Sequence, residues 1–445
     1  MNSRKKIRTQ KGPALWEKAK KIIPGGGQLL SKRGEMFLPG LWPSYYKKAK
    51  GVIVEDLDGN KFLDMALMGV GSCILGYADP DVDRAVKKAI NDGSMSTLNA
   101  PEEVELAELL CKIHPWADMA RFARTGGEAV AIAVRIARAS SKKDKVAFCG
   151  YHGWLDWYLS ANLADNKNLD GHLLAGLKPA GVPRCLKGTA LPFHYNNIKE
   201  LEEIVSKNKG EIGAIVMEPY KYKEPEDGFL QKVRKIADEI GAVLIFDEIS
   251  IGWRVHPGGI HMLYGVNPDM AVFSKAMGNG YPMSAIIGTR KIMEAAQETF
   301  ISSTNWTEKI GPAAALATIK KLRKNKVPVH LKKIGGYIRQ EAEKLIKKYG
   351  LAIEIVGPPA LVIYKLNYGK DNQTVKTLYI QEMLKRGILA STIIYISYAH
   401  NKNHTDRYLK ALDEVLAVLS QAIKEKDVNK FLEGEAAHEG FQRLN

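Results

Sequence analysis

The sequence predicts an α/β fold, with a large domain on a mostly parallel central sheet and a second, smaller α+β domain. Three observations predict it. Between residues 80 and 315, helical patterns alternate with short apolar runs at 146–149, 214–217, 243–246, 270–273 and 285–288. These runs are too short for helices and apolar on both faces, as the strands of a sheet covered on both sides must be. After Gly311 a long helical pattern (313–322, then 331–349) gives way to a strand-rich segment and an amphipathic helix over 406–426, a different arrangement. Finally, 445 residues at 45% hydrophobic and 26% charged leave room for two or three packed units and exclude a disordered or fibrous chain.

In chain order, the first 50 residues read as an irregular arm: a helix over 14–23, a break at Gly25, Gly26 and Gly27, then an aromatic stretch with Phe37, Trp42, Tyr45 and Tyr46. Residues 51–66, GVIVEDLDGNKFLDMA, alternate apolar side chains around Asp58-Gly59-Asn60, which is hairpin chemistry. The segment 101–114 has helical apolar spacing behind an acidic first turn. These breaks divide the chain into an arm with part of the small domain (1–70), the large domain (71–315) and a C-terminal small domain (316–445).

Lys and Arg outnumber Asp and Glu by 65 to 49, a formal charge of +16. Such a surplus suits nucleic acid, a membrane surface, or the solvated exterior of a protein that handles an anionic ligand. The lysines are scattered through helical segments (Lys320, Lys321, Lys324, Lys326, Lys332, Lys333), which favours the exterior, with no nucleic acid and no membrane as partners. The start, MNSRKKIRTQKGP, is basic but no apolar segment follows it, so no signal peptide is expected. No run approaches the roughly 18 apolar residues of a transmembrane helix. Cys73, Cys111, Cys149 and Cys185 are widely spaced, so neither a disulfide framework nor a metal site is expected, and a reducing cytoplasm suits them.

Ligands of open α/β sheets sit outside the carboxyl ends of the strands, so polar residues directly after apolar runs aim at one crevice. Thr125-Gly126-Gly127 opens an Ala-rich helix, where unpaired amides at the positive end of a dipole can bind an anion; an ordinary N-cap at Thr125 is the plainer alternative. Tyr151 and His152 follow VAFCG and can lie on a planar ligand or simply pack in the core. Glu218, in MEP, and Asp247, ending AVLIFD, are carboxylates placed where burial demands a cation or donor; a cap or a surface ion pair would also account for either. Ser274 and Lys275 close the run MAVF before a Gly-rich turn. Most lysines are solvated surface residues, but this position desolvates the amine and favours a nucleophile. Together these supply an amine, a carboxylate for a ring cation, an aromatic face and a phosphate cradle, the set that pyridoxal phosphate needs.

On these residues the sequence resembles the fold-type I pyridoxal phosphate enzymes, specifically the class III aminotransferases, and is most similar to glutamate-1-semialdehyde 2,1-aminomutase. The resemblance runs from the Pro24-Gly25-Gly26 region through Asp56-Leu57-Asp58-Gly59 to Ser397–His400. It implies that Lys275 in FSKAMGNGYP is the Schiff-base lysine and Asp247 in LIFDE the partner of the pyridine nitrogen. It places Tyr151 and His152 against the ring and Glu218 along the site. By the same resemblance, Gly126 and Gly127 would hold the phosphate. Thr304 falls where the family's threonine reaches the phosphate of a neighbouring subunit, implying a homodimer with shared active sites. The chain departs from the pattern at Gly127, where a hydroxyl residue is common and phosphate binding then leans on backbone amides and Thr125. It departs again in the substrate segment, where Leu29 takes the serine position and Lys32 or Arg33 approximates the arginine, and where Trp42 adds an aromatic at the entrance.

The resemblance implies an aminotransferase that moves an amino group between a small-molecule amino donor and a keto or aldehyde acceptor. The aromatic residues beside Lys32 and Arg33 would suit an amino or keto sugar as well as a small amino acid. An aminomutase, in which the same molecule takes the amino group back, needs the same residues. The rival of another class, a basic nucleic-acid-binding protein, predicts salt-dependent affinity and a colourless preparation, whereas the enzyme predicts a yellow one.

Overall fold

The computed structural model describes residues 9–172, 175–441 and 443–444. The basic start of the chain lies outside them up to residue 8. Two compact units are present, Met1–Asp79 with Val329–Asn445, and Pro80–Pro328. The breaks fall at 79 and 328, where the sequence suggested 70 and 315. One reason is the helix Ile310–Lys324, which packs on the helices Pro80–Asn91 and Pro101–Ile113 and donates from Lys321 Nζ to Asp81 Oδ2 at 2.7 Å.

The first unit opens with the helix Lys11–Ile22. It starts three residues before the expected 14 because Asp58 Oδ2 accepts from the amides of Gln10 and Lys11 at 2.8 and 3.0 Å, a cap supplied from far along the chain. Strands β1 (Tyr46–Lys50), β2 (Ile53–Asp56) and β3 (Lys61–Met65) follow, and β2 and β3 form the expected hairpin about Gly59, whose φ of 84° no branched residue would adopt readily.

The second unit is built on seven strands: β4 (Met119–Ala123), β5 (Lys145–Cys149), β6 (Ala190–Pro192), β7 (Ile212–Met217), β8 (Val243–Asp247), β9 (Met270–Phe273) and β10 (Ser284–Gly288). Their order is β4-β10-β9-β8-β7-β5-β6. The block from β9 to β6 is parallel, and β10 runs antiparallel to both neighbours. A parallel return needs a crossover of about a dozen residues or more. The turn from Ser274 to Met283 is too short for one, so β10 comes back reversed. One sheet face packs on Ala129, Ala133, Ile136 and Ala137 of the helix Gly126–Ser141, whose small side chains let it sit close. The other meets Phe229, Leu230, Val233 and Ala237 of the helix Phe229–Ile240.

In the rest of the first unit, β11 (Ile353–Val356), β12 (Leu361–Leu366) and β14 (Ile393–Tyr395) form an antiparallel sheet, while β13 (Ile388–Ala390) pairs parallel with β3. The last helix is Lys402–Lys424, started by Asn401 in a reciprocal cap with His404. No helix among the described residues is long and apolar enough to cross a membrane.

Candidate active site

The carboxyl ends of β5, β7, β8 and β9, with the start of the helix Gly126–Ser141, bring most of the expected residues together. Lys275 leaves β9 with φ of 45°, a left-handed conformation costing a non-glycine residue on the order of 1–2 kcal/mol. Its Nζ donates to Ser250 Oγ at 2.7 Å. Sequence reasoning passed over Ser250, although it lies three residues beyond Asp247 in the turn at the same strand end. Ser274 spends its hydroxyl on Met283 O at 3.0 Å, which closes the turn behind the lysine.

Asp247 is buried, and the partner its burial demands is His152. His152 Nδ1 lies 2.8 Å from Asp247 Oδ2 and its Nε2 lies 3.1 Å from Cys149 O. A carboxylate oxygen and a carbonyl oxygen thus flank the ring, one at each nitrogen. Asp247 Oδ1 accepts from Ile249 N at 3.0 Å, which leaves the carboxylate held at both oxygens. His152 is 1% exposed and stacks on Trp157 at 6.2 Å. Tyr151, at 38%, is the member of the aromatic pair open to a ligand, and it stands edge-on to Tyr158.

Glu218 follows β7 and covers Gly150, where a Cβ would lie 2.5 Å from Glu218 Oε2. Burial pushes its pKa up and Asp247 adds to the rise, while the cations Lys221 and Lys275 and the His152 ring oppose it. Lys221 Nζ lies 3.9 Å from Glu218 Oε2 and donates to His172 O at 2.7 Å. His172 Nδ1 accepts from Gly150 N at 3.1 Å, and burial pushes the imidazole down to about 3, so it stays neutral.

At the helix start, the Thr125 hydroxyl is engaged with Glu128: Oγ1 donates to Oε2 at 2.9 Å and accepts from Glu128 N at 3.4 Å. The plain N-cap reading is therefore correct for Thr125, and any anion falls to the amides of Gly126 and Gly127. A Cβ at Gly126 would meet Ile249 at 2.8 Å and one at Gly127 would meet Leu155 at 3.1 Å, so side chains would crowd this cradle. Thr304 lies exposed on the turn Thr304–Thr307. Arg124 clamps that turn, donating from Nη2 to Trp306 O and Glu308 O at 2.8 and 2.7 Å. Lys32, Arg33 and Trp42 belong to the other unit. Lys32 is exposed, Arg33 is half-buried, and Trp42 stacks on Phe37 at 4.4 Å. Among the described residues no group of His, Cys, Asp and Glu could hold a metal ion.

An amine on a neutral hydroxyl, a rigid buried carboxylate, an open aromatic face and an amide cradle fit a planar heterocycle bearing an aldehyde, a ring nitrogen and a phosphate. The family model for class III aminotransferases matches residues 40–416. The chain is 30% identical over 430 residues to the 3-aminobutyryl-CoA aminotransferase of Cloacimonas acidaminovorans, covering 94% of this chain and 99% of that protein. It is 32% identical over 436 residues to the glutamate-1-semialdehyde 2,1-aminomutase 2 of Lachnoclostridium phytofermentans, covering 93% and 99%. The structure of an ω-transaminase from Sphaerobacter thermophilus matches with a TM-score of 0.81 at 24% identity, over 92% of this chain and 98% of that one, a likeness of fold. The charge surplus thus sits on an enzyme, and the chain belongs to the class III aminotransferases, which depend on pyridoxal phosphate.

Proposed function

We propose that Lys275 is the amine through which this aminotransferase holds its cofactor, and that the strand-end crevice around it is where an amino group passes between a donor and a keto or aldehyde acceptor. The observation that carries this is Lys275 Nζ on Ser250 Oγ in the crevice that also holds the buried Asp247–His152 pair. When bound, pyridoxal 5′-phosphate supplies an electrophilic aldehyde and an electron-accepting ring.

Lys275 would hold the aldehyde end, Asp247 the ring nitrogen, Tyr151 a ring face, and the amides of Gly126 and Gly127 the phosphate. Asp247, held by His152 and Ile249 N, would favour a proton on that ring nitrogen. Lys275 Nζ would be placed to accept a proton from the donor's amino-bearing carbon and to deliver one to the acceptor's carbonyl carbon, with Ser250 Oγ aiming the nitrogen and the bound cofactor supplying the sink for the electron pair. Thr125 and Ser274 act by fixing the helix start and the turn. Glu218 lines the crevice with a carboxyl whose charge Lys221 supports.

By the family resemblance Lys32, Arg33 and Trp42 would take part in substrate recognition; a sugar-derived carbonyl or a small amino acid both suit this set. Thr304, on its exposed turn, would serve the phosphate site of a second copy in a homodimer. The exposed Leu98, Trp154 and Phe300 of the same unit supply apolar surface for that dimer to cover. Four free cysteines suit a cytoplasmic enzyme.

Lys275→Ala tests the assignment. Turnover is expected to vanish, and borohydride reduction of the loaded enzyme should leave no cofactor mass on the chain, where the parent carries it on the peptide with Lys275. Normal rates, or the adduct on another residue, would overturn it. A panel of amino donors and acceptors, followed by the shift of the yellow absorbance, separates a transaminase from an aminomutase.

A further inference from the structure

The turn after β7 brings a second amine to the strand ends. Of residues 221–224, Tyr222, Lys223 and Glu224 are exposed, whereas the Lys221 side chain keeps only 10% of its surface. The chain passes Tyr222 with φ of 62°, a left-handed conformation that a non-glycine residue holds only where its surroundings fix it. The turn is thus held with Lys221 on its covered side.

A lysine is seldom covered unless its ammonium is paired. Lys221 Nζ donates to His172 O at 2.7 Å, which takes one of its three N–H groups. Glu218 Oε2 lies 3.9 Å away, within reach of the charge but beyond a hydrogen bond. Among the described residues no other acceptor takes the remaining N–H groups. The charges of Asp247 and Lys275 both reach Glu218, so the ammonium borders the crevice in which Lys275 stands. All of these residues belong to the unit Pro80–Pro328. The mount is firm, because His172 Nδ1 accepts from Gly150 N at 3.1 Å and its ring stacks on His194 at 5.5 Å. A cation already fixed in place loses little freedom when an anion binds.

We propose that Lys221 is a substrate-binding cation of the crevice, whose ammonium receives a carboxylate carried by the amino donor or the carbonyl acceptor. This deepens the function proposed above and rests on Lys275 being the amine that holds the cofactor. A single negative charge suits the site better than a phosphate dianion, since Glu218 shares the same ammonium. One carboxylate is balanced by it once Glu218 takes up a proton, which burial already favours.

The test measures how fast aminooxyacetate and 3-(aminooxy)propanoate, which bear a carboxylate on a short and a longer arm, bleach the yellow loaded enzyme. Each rate is divided by that of O-methylhydroxylamine, which bears no charge, so a disturbance common to all three reagents cancels. Lys221→Met removes the charge at similar length and is expected to lower the larger ratio on the order of tenfold. Lys221→Arg should stay within about threefold of the parent, and the ratio for 2-(aminooxy)ethyl phosphate should fall less than about threefold in Lys221→Met. Borohydride reduction and peptide mass spectrometry on the same samples locate the cofactor.

With the cofactor mass on Lys275 and both carboxylate ratios of Lys221→Met within about twofold of the parent's, the anion role of Lys221 falls while Lys275 keeps its own. A phosphate ratio that drops as far as the carboxylate ratios overturns the choice of a carboxylate. Cofactor mass on Lys221, or on any residue other than Lys275, in the parent overturns both assignments. Should Lys221→Met fail to fold, Lys221→Gln, which keeps a donor for His172 O without the charge, decides by the same ratios.

Discussion

Replacing Arg124 with Met should unfasten the turn that carries Thr304 while leaving the strand-end crevice intact. The guanidinium donates to Trp306 O, Glu308 O and Ala123 O at 2.8, 2.7 and 3.2 Å, and its Nε lies 2.7 Å from Glu308 Oε1. Hydrogen bonds from a charged donor are worth about 1.5–3 kcal/mol each, but bonds sharing one side chain do not add. Breaking a largely buried ion pair costs about 3–5 kcal/mol as an upper range. The loss is softened because Glu308 keeps the amides of Ile310 and Gly311 at 2.6 and 2.9 Å. A net loss of about 3 kcal/mol would raise the local opening equilibrium of 303–309 by roughly 10²-fold. Hydrogen exchange at Trp306 and Lys309, whose amides donate to Ser303 O and Ser94 O, reads this directly. Their exchange should accelerate by about that factor, with the amides of Gly126–Ser141 unchanged as the internal control and Arg124→Lys falling between. If exchange at both sites stays within about threefold of the parent, the clamp reasoning is wrong.

Three further outcomes follow from the same geometry. Ser250→Ala removes the acceptor of Lys275 Nζ and should lower kcat/KM about tenfold with normal cofactor content; an unchanged kcat/KM would show that the hydroxyl does not aim the amine. His261→Leu removes the imidazole 2.7 Å from Glu248 Oε1 in a fully buried site, leaving that oxygen the amide of residue 261 at 3.0 Å, and should cost about 1–3 kcal/mol in urea unfolding; a loss below about 0.5 kcal/mol would mean that the amide alone satisfies the carboxyl group. Burial pushes the His400 imidazole down to about 4, so its native pKa lies below the ordinary 6.5. The unfolded chain therefore takes up the proton first, and stability present in full above about pH 6.5 is lost as pH falls towards 4, by about 3 kcal/mol. His400→Gln should flatten that slope in urea titrations, and parallel slopes for parent and variant would contradict it.

The interior of the larger sheet was legible because β7, β8, β9 and β10 are apolar on both faces, and nothing but a covered sheet explains such runs. Strands β4 and β6 were not. β4 is MARFA, an edge strand with Arg121 in its middle, and β6 is three residues ending in Pro192, which an edge tolerates and a central strand does not. The early start of the helix Lys11–Ile22 was hidden for another reason. Its cap, Asp58, belongs to the hairpin, and no local pattern points from one to the other.

The site divides the same way, between what the backbone position dictates and what a side chain's reach decides. Lys275 and Asp247 could be placed because each directly follows or closes a buried strand, and the sheet carries every such residue to one edge. That His152 turns inward to Asp247 could not be read, since YHG at a strand end allows either ring to face the ligand. Arg124 shows the limit most sharply. It stands directly before Thr125, the cap of the helix Gly126–Ser141, yet a side chain long enough to reach several residues in any direction binds the best acceptors within range. Here those are the carbonyls of Trp306 and Glu308, more than 180 positions away for each. Short side chains inherit their role from the backbone, which makes Thr125, Ser274 and the glycines readable as a group, whereas the roles of Arg124, Lys221 and Arg33 depend on which acceptors and rings the fold brings near.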